Sequence, residues 1–162
     1  MLLSNLFLGI GTMMLCLVLQ LALLTRALMF YAGRRSRLQR ASPWVEFSVL
    51  NGVMLLLMLG NLGQVAIWAV LFQWLGEFGD YRVAFYHSAV NFATLGYGDL
   101  VMSEQRRLLG PLESMNGILM VGVTTAAFMT ILRDALLHVR GTAPGTGAGS
   151  DAQLEQVLKQ KH

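Results

Sequence analysis

Three apolar stretches, each longer than the roughly 20 residues needed to cross a bilayer core, constrain this 162-residue chain more than anything else in it. They run from about Leu6 to Tyr31, from Val45 to Leu75 and from Leu108 to Leu137. With 55% hydrophobic and only 13% charged residues, the chain is too apolar for one soluble domain and has the composition of a small integral membrane protein. The predicted fold class is all-α, with three transmembrane helices. The segment between the second and third runs is too short and too interrupted for a fourth span. It fits a re-entrant loop, in which a half-length helix enters the membrane and a strand returns to the same side; non-helical backbone at that depth must line a cavity or be buried in protein.

Charge predicts the orientation. Arg26, Arg34, Arg35, Arg37 and Arg40 crowd between the first two runs, and Arg133, Arg140, Lys159 and Lys161 follow the third. Both regions are expected to be cytoplasmic by the positive-inside rule. Glu77, Asp80, Asp99 and Glu104 against Arg82, Arg106 and Arg107 leave the other side nearly balanced, so the amino terminus and the re-entrant loop are expected outside. A net charge of +3 with arginines at the membrane boundary points to anionic lipid headgroups, at Arg34, Arg35, Arg37 and Arg40, and not to nucleic acid. Arg34, Arg37 and Arg40 recur at the spacing of a voltage sensor but lie outside any apolar run, so the stretch is expected to be an interfacial turn or short helix. Met1 to Met14 contains no basic residue and is expected to remain as membrane helix rather than act as a signal peptide. Cys16 is expected to be a packed small side chain.

The re-entrant segment carries Ala84-Phe85-Tyr86-His87-Ser88-Ala89-Val90-Asn91-Phe92-Ala93 followed by Thr94-Leu95-Gly96-Tyr97-Gly98-Asp99, with no charge between Arg82 and Asp99. It resembles the pore helix and selectivity filter of the potassium channel superfamily, in the form of a small prokaryotic-type two-helix pore module with one additional amino-terminal helix. Leu95 stands where the family's T-V-G-Y-G-D has Val. The resemblance implies that the backbone carbonyls of Thr94, Leu95, Gly96 and Tyr97 replace the water shell of K+, with the Thr94 hydroxyl closing the innermost site. Gly96 and Gly98 would supply the backbone angles that a Cβ resists. Leu95 contributes only its carbonyl, so its side chain changes packing and not the ligand set. One pore motif per chain implies a homotetramer in a bacterial plasma membrane, conducting K+ passively, with no cofactor beyond the K+ ions in the filter.

The expected organisation is a peripheral helix over 1–32, a basic cytoplasmic linker over 33–44 and a pore domain over 45–138. Within the pore domain an outer helix covers 45–75, a pore helix 81–93, the filter 94–99 and an inner helix 108–138; a flexible tail covers 139–162. The first helix is expected to pack outside the outer helix, with Gly9, Gly11, Gly60 and Gly63 as close-contact points. Tyr86 is placed to hydrogen-bond Asp99 behind the filter, and His87 is expected to be packed and neutral. Asn91 and Ala93 depart from the threonines common in the family, which bears on cavity hydration. Gly122 and Gly117 are the hinge candidates of the inner helix, with close packing as the competing explanation. Thr124, Ala126, Ala127 and Thr130 are expected to border a cavity below the filter. Glu113 and Asn116 share one helical face and are expected to support the filter from behind, touching His87 or Asn91.

No nucleophile–base arrangement or metal-ligand cluster marks an enzyme. Two alternatives remain open at the level of sequence. One is the membrane subunit of a potassium uptake transporter, although such proteins generally repeat the unit four times in one chain with degraded filters. The other is a non-conducting modulatory or structural subunit, for which Asn91 and Ala93 are the only hint.

Overall fold

In the computed structural model, residues 2–38 and 43–141 are described, the side chains of 34–38, 43, 46 and 137–141 excepted. Four helices follow one another: α1 (Leu2–Leu38), α2 (Pro43–Trp74), α3 (Tyr81–Phe92) and α4 (Leu109–Gly141). Three are long and apolar enough to cross a membrane, over Leu2–Gly33, Phe47–Trp74 and Leu109–Leu136. The fold is all-α, with the short helix α3 set between α2 and α4.

The helix ends differ from those expected. Gly33 does not stop α1, which continues through the arginines to Leu38; the expected linker is therefore helical over 33–38. Arg, Ser and Leu are tolerated in helices, and the first strong breaker is Pro43, which opens α2 where its missing N–H costs nothing. Residues 39–42, Arg40 among them, and those beyond 141 lie outside the described residues, as do the side chains of Arg34, Arg35 and Arg37.

α1 lies against the outer helix α2, as expected, and also against α4. It runs parallel to α4: Asn5 Nδ2 donates to the Gln105 carbonyl, Gln20 contacts Thr124, and Tyr31 Oη donates to Asp134 Oδ2 at 3.1 Å. The amino end of α1 and the loop after Asp99 therefore share one end of the molecule. Gly9 faces Leu112 of α4, and Gly60 faces Leu23 and Gln20. Gly63 barely reaches Leu19, and Gly11 has open space, so neither of those two sets the packing distance.

Burial is distributed as in a protein dissolved in lipid. Leu2, Leu3, Phe7, Met14, Leu15 and Val18 of α1 are exposed, while Asn5 and Gln20 of the same helix are buried. Without water outside, apolar side chains have no reason to turn inward, and polar ones must find partners within the protein. Cys16 packs with Trp68, Ala69 and Phe72 between α1 and α2, the cluster continuing to Ala84 and Leu109. A second cluster of Ala27, Tyr31, Val49, Val53, Leu57 and Ile131 closes the opposite end.

Candidate functional site: the α3 helix and the loop to Asp99

Asp80 caps α3, its Oδ1 accepting from the Arg82 N–H at 2.9 Å. At the other end the Thr94 N–H donates to the Asn91 carbonyl at 2.8 Å and the Leu95 N–H to the Val90 carbonyl at 2.9 Å. With Thr94 at φ 60°, this pair of bonds is a Schellman cap, a position normally taken by glycine. A β-branched residue there is strained, so Thr94 combines a backbone cost with a hydroxyl that glycine lacks.

Beyond the cap, φ is positive at Thr94, Gly96 (56°) and Gly98 (74°), and not at Leu95 or Tyr97. In an ordinary strand successive carbonyls point to opposite sides; reversing the sign of φ at every second residue turns the intervening peptides over and lets neighbouring carbonyls face the same way. A Cβ on Gly96 or Gly98 would meet no atom within 4 Å, so the need for glycine there comes from φ alone. Leu95 and Tyr97 are 54% and 66% exposed on the isolated chain.

Several side chains brace this loop from behind. Tyr86 Oη donates to Asp99 Oδ2 at 2.9 Å, and the accepting carboxylate pushes the phenol pKa up. Glu77, in the connection between α2 and α3, accepts from the Ser103 N–H at 2.7 Å and from Ser103 Oγ at 2.8 Å, with Arg106 Nε 3.8 Å away. That tie fastens the return loop to the α2–α3 connection. Ser114 Oγ of α4 donates to the Asn91 carbonyl at 2.8 Å.

Asn91, where the family often has threonine, is occupied within the protein: its Nδ2 donates to His87 Nε2 at 2.9 Å. His87 is buried, its ring 4.8 Å from Phe78 and 5.6 Å from Phe72. Burial lowers its pKa, against the opposing pull of the Leu100 backbone and the Asp99 and Glu77 carboxylates. An unfolded chain takes up the proton near the ordinary value of 6.5, whereas the folded one resists. The stability His87 contributes is therefore complete above that pH and lost as pH falls below it. Thermal melting of the solubilised protein should shift downward between about pH 7 and about pH 5, and His87→Gln should flatten that shift; equal slopes in both proteins would remove His87 as the cause.

Glu113 and Asn116 are both buried; Glu113 bonds Asn91, as expected, while its other partner and that of Asn116 differ from those expected. Glu113 Oε1 contacts Ser88 Oγ of α3, not His87. Asn116 Nδ2 donates to Gln64 Oε1 of α2 at 3.4 Å and does not reach His87. Ser88 Oγ also donates to the Val65 carbonyl at 2.8 Å. A hydroxyl has one hydrogen, so both Ser88 contacts are hydrogen bonds when Glu113 carries a proton and donates it.

The two hinge candidates of α4, Gly117 and Gly122, separate. A Cβ on Gly117 would lie 2.0 Å from the Phe92 carbonyl oxygen, whereas one on Gly122 meets nothing. Close packing against the end of α3 explains Gly117, and of the two only Gly122 is unhindered. Thr124 is buried against α1 and α2 and does not border an open space; Ala126 and Thr130 are exposed and Ala127 half-buried.

Ser88, Gln20, Asn61 and Gln64 were not singled out from sequence, and a usable signal existed. Gln20, Asn61 and Gln64 are polar residues inside membrane-length apolar runs, and such residues face protein.

Residues 61–134 match the family model described as Ion channel. That match covers most of α2, all of α3, the filter-like loop and most of α4, and these residues form an ion-channel pore domain, not an enzyme. The chain is thus an integral membrane protein in which α1 is added to that domain. No curated protein and no solved structure matches it.

Proposed function

We propose that the chain forms a homotetrameric, potassium-selective channel, in which Thr94, Leu95, Gly96 and Tyr97 line the ion path with their carbonyls and K+ passes passively. The observation that carries this reading is the alternation of φ sign at Thr94, Gly96 and Gly98, the backbone arrangement that turns neighbouring carbonyls to one side. Tetramer formation is supported by the exposure of Leu95 and Tyr97, large side chains left open on one chain and natural contacts for adjacent copies around a fourfold axis. Asp99, Tyr86, Glu113 and Ser88 would hold the filter from behind, and Asn116 would act through Gln64. Gly122 is the hinge candidate of the inner helix. The filter end is taken as extracellular and the α1–α2 turn as cytoplasmic, where its arginines would meet anionic lipid.

The test is the reversal potential of the purified protein in a planar bilayer with K+ on one side and Na+ on the other. Reversal close to the K+ equilibrium potential is the expected result. Reversal near zero would mean a non-selective cation pore. Absence of current under every stimulus, with an intact tetramer, would favour the modulatory reading.

A further inference from the structure

α1 lies outside the matched pore domain and packs mainly on α2 and α4. Its one central polar side chain is nevertheless fully committed. Gln20, with no exposed surface, donates from Nε2 to Thr124 Oγ1 at 2.8 Å and accepts at Oε1 from Gln64 Nε2 at 2.8 Å. Thr124 spends its own hydrogen on the Met120 carbonyl at 2.8 Å and also accepts from Asn61 Nδ2 at 3.2 Å. Gln64 Oε1 then accepts from Asn116. One amide thus joins α1, α2 and α4 in the middle of the apolar layer, where water cannot substitute for a lost partner.

Position gives this junction its meaning. Thr124 lies two residues beyond Gly122, the unhindered glycine of α4. α1 is also tied to the loop that leads into α4, through Asn5 to Gln105, and to α4 beyond that point, through Tyr31 to Asp134. A helix bonded at three heights along a parallel neighbour and its leading loop acts as a splint. Any bend of α4 at Gly122 must carry Thr124 away from Gln20 or drag α1 with it.

We propose that α1 is a working part of the pore unit and that Gln20 is a positioning residue, which holds the inner helix at Thr124 and so biases the equilibrium between its straight and bent forms. The inference rests on the reading of α4 as the inner helix of a channel. Gln20 touches neither the filter nor the ion path. It therefore affects how often the pore opens and not what passes through it.

Single-channel recording of Gln20→Leu, Thr124→Val and the double variant tests this. Leucine and valine keep approximate volume and remove the hydrogen bond. Each single change is expected to shift open probability about threefold or more in the same direction, with unit conductance and reversal potential unchanged. Because the two changes share the Gln20–Thr124 bond, the double variant should shift open probability by clearly less than the product of the two single shifts. Thr124→Ser keeps the acceptor and should gate as the parent does. Thr124→Val reads the same bond from α4 should Gln20→Leu not assemble. Open probabilities within about twofold of the parent, or additive effects in the double variant, would overturn the proposal. The comparison is a ratio of open probabilities whatever cation carries the current. A parent that fails to select K+ would count against the potassium reading and not against this one.

Discussion

Gly117→Ala is expected to abolish the assembled protein or lower its melting temperature severely. The added methyl would sit 2.0 Å from the Phe92 carbonyl oxygen and 2.9 Å from the Phe92 carbonyl carbon, and neither atom belongs to a flexible side chain. Overpacking against movable side chains costs about 1–3 kcal/mol; here the end of α3 itself must move, so the cost should exceed about 3 kcal/mol. The loss would reach the filter directly, because Phe92 is two residues before Thr94. Gly122→Ala is the control. Its Cβ enters open space, and alanine favours helix by about 1 kcal/mol over glycine, so melting should be unchanged or slightly raised. Melting curves and the tetrameric fraction in detergent would check both. Equal stability of the two variants would show that α4 does not rest on Phe92 as described.

Gly98→Ala is expected to destroy ion discrimination while leaving the helices folded. Gly98 has φ 74°, a conformation that costs an L residue roughly 1–2 kcal/mol, and a tetramer would pay this at four positions around one ring. The strand should relax toward negative φ and turn the adjacent peptide away from its neighbours. Reversal potential should move from the K+ equilibrium value toward zero, or current should vanish. Leu95→Val should do neither, because Leu95 has ordinary φ and only its carbonyl would face the ion. A Gly98→Ala protein that still reversed at the K+ equilibrium potential would show that carbonyl alignment does not depend on this backbone angle.

Much of the site was legible before any coordinates because the governing rules are local. The half-length helix over Tyr81–Phe92 follows from an uninterrupted run capped by Asp80 and ended by a positive-φ residue. The Tyr86–Asp99 bond was expected from the resemblance of the segment. The Schellman cap at Thr94 was not, since threonine is a poor residue for it and no local preference announces it. The extension of α1 to Leu38 was missed because Gly33 and the arginines resemble a loop in composition, while a helix ends only where something breaks or caps it.

Length and apolarity alone determined that this chain has three helices long and apolar enough to cross a membrane, and the alternation of glycine with larger residues after Thr94 determined where its backbone must leave regular structure. Tertiary structure decided which polar groups meet. Each residue along a helix turns a side chain by about 100°, so whether Gln20 faces lipid, α2 or α4 depends on the rotation and height of α1. Contacts between helices, such as Gly9 against Leu112 and Gly60 against Leu23, set those two quantities, and no single run contains both sides of such a contact. The same holds for Glu113, whose partner Ser88 lies 25 residues away on α3. A buried carboxyl needs a donor or acceptor within the protein, and only the packing of α4 on α3 decides which one it finds.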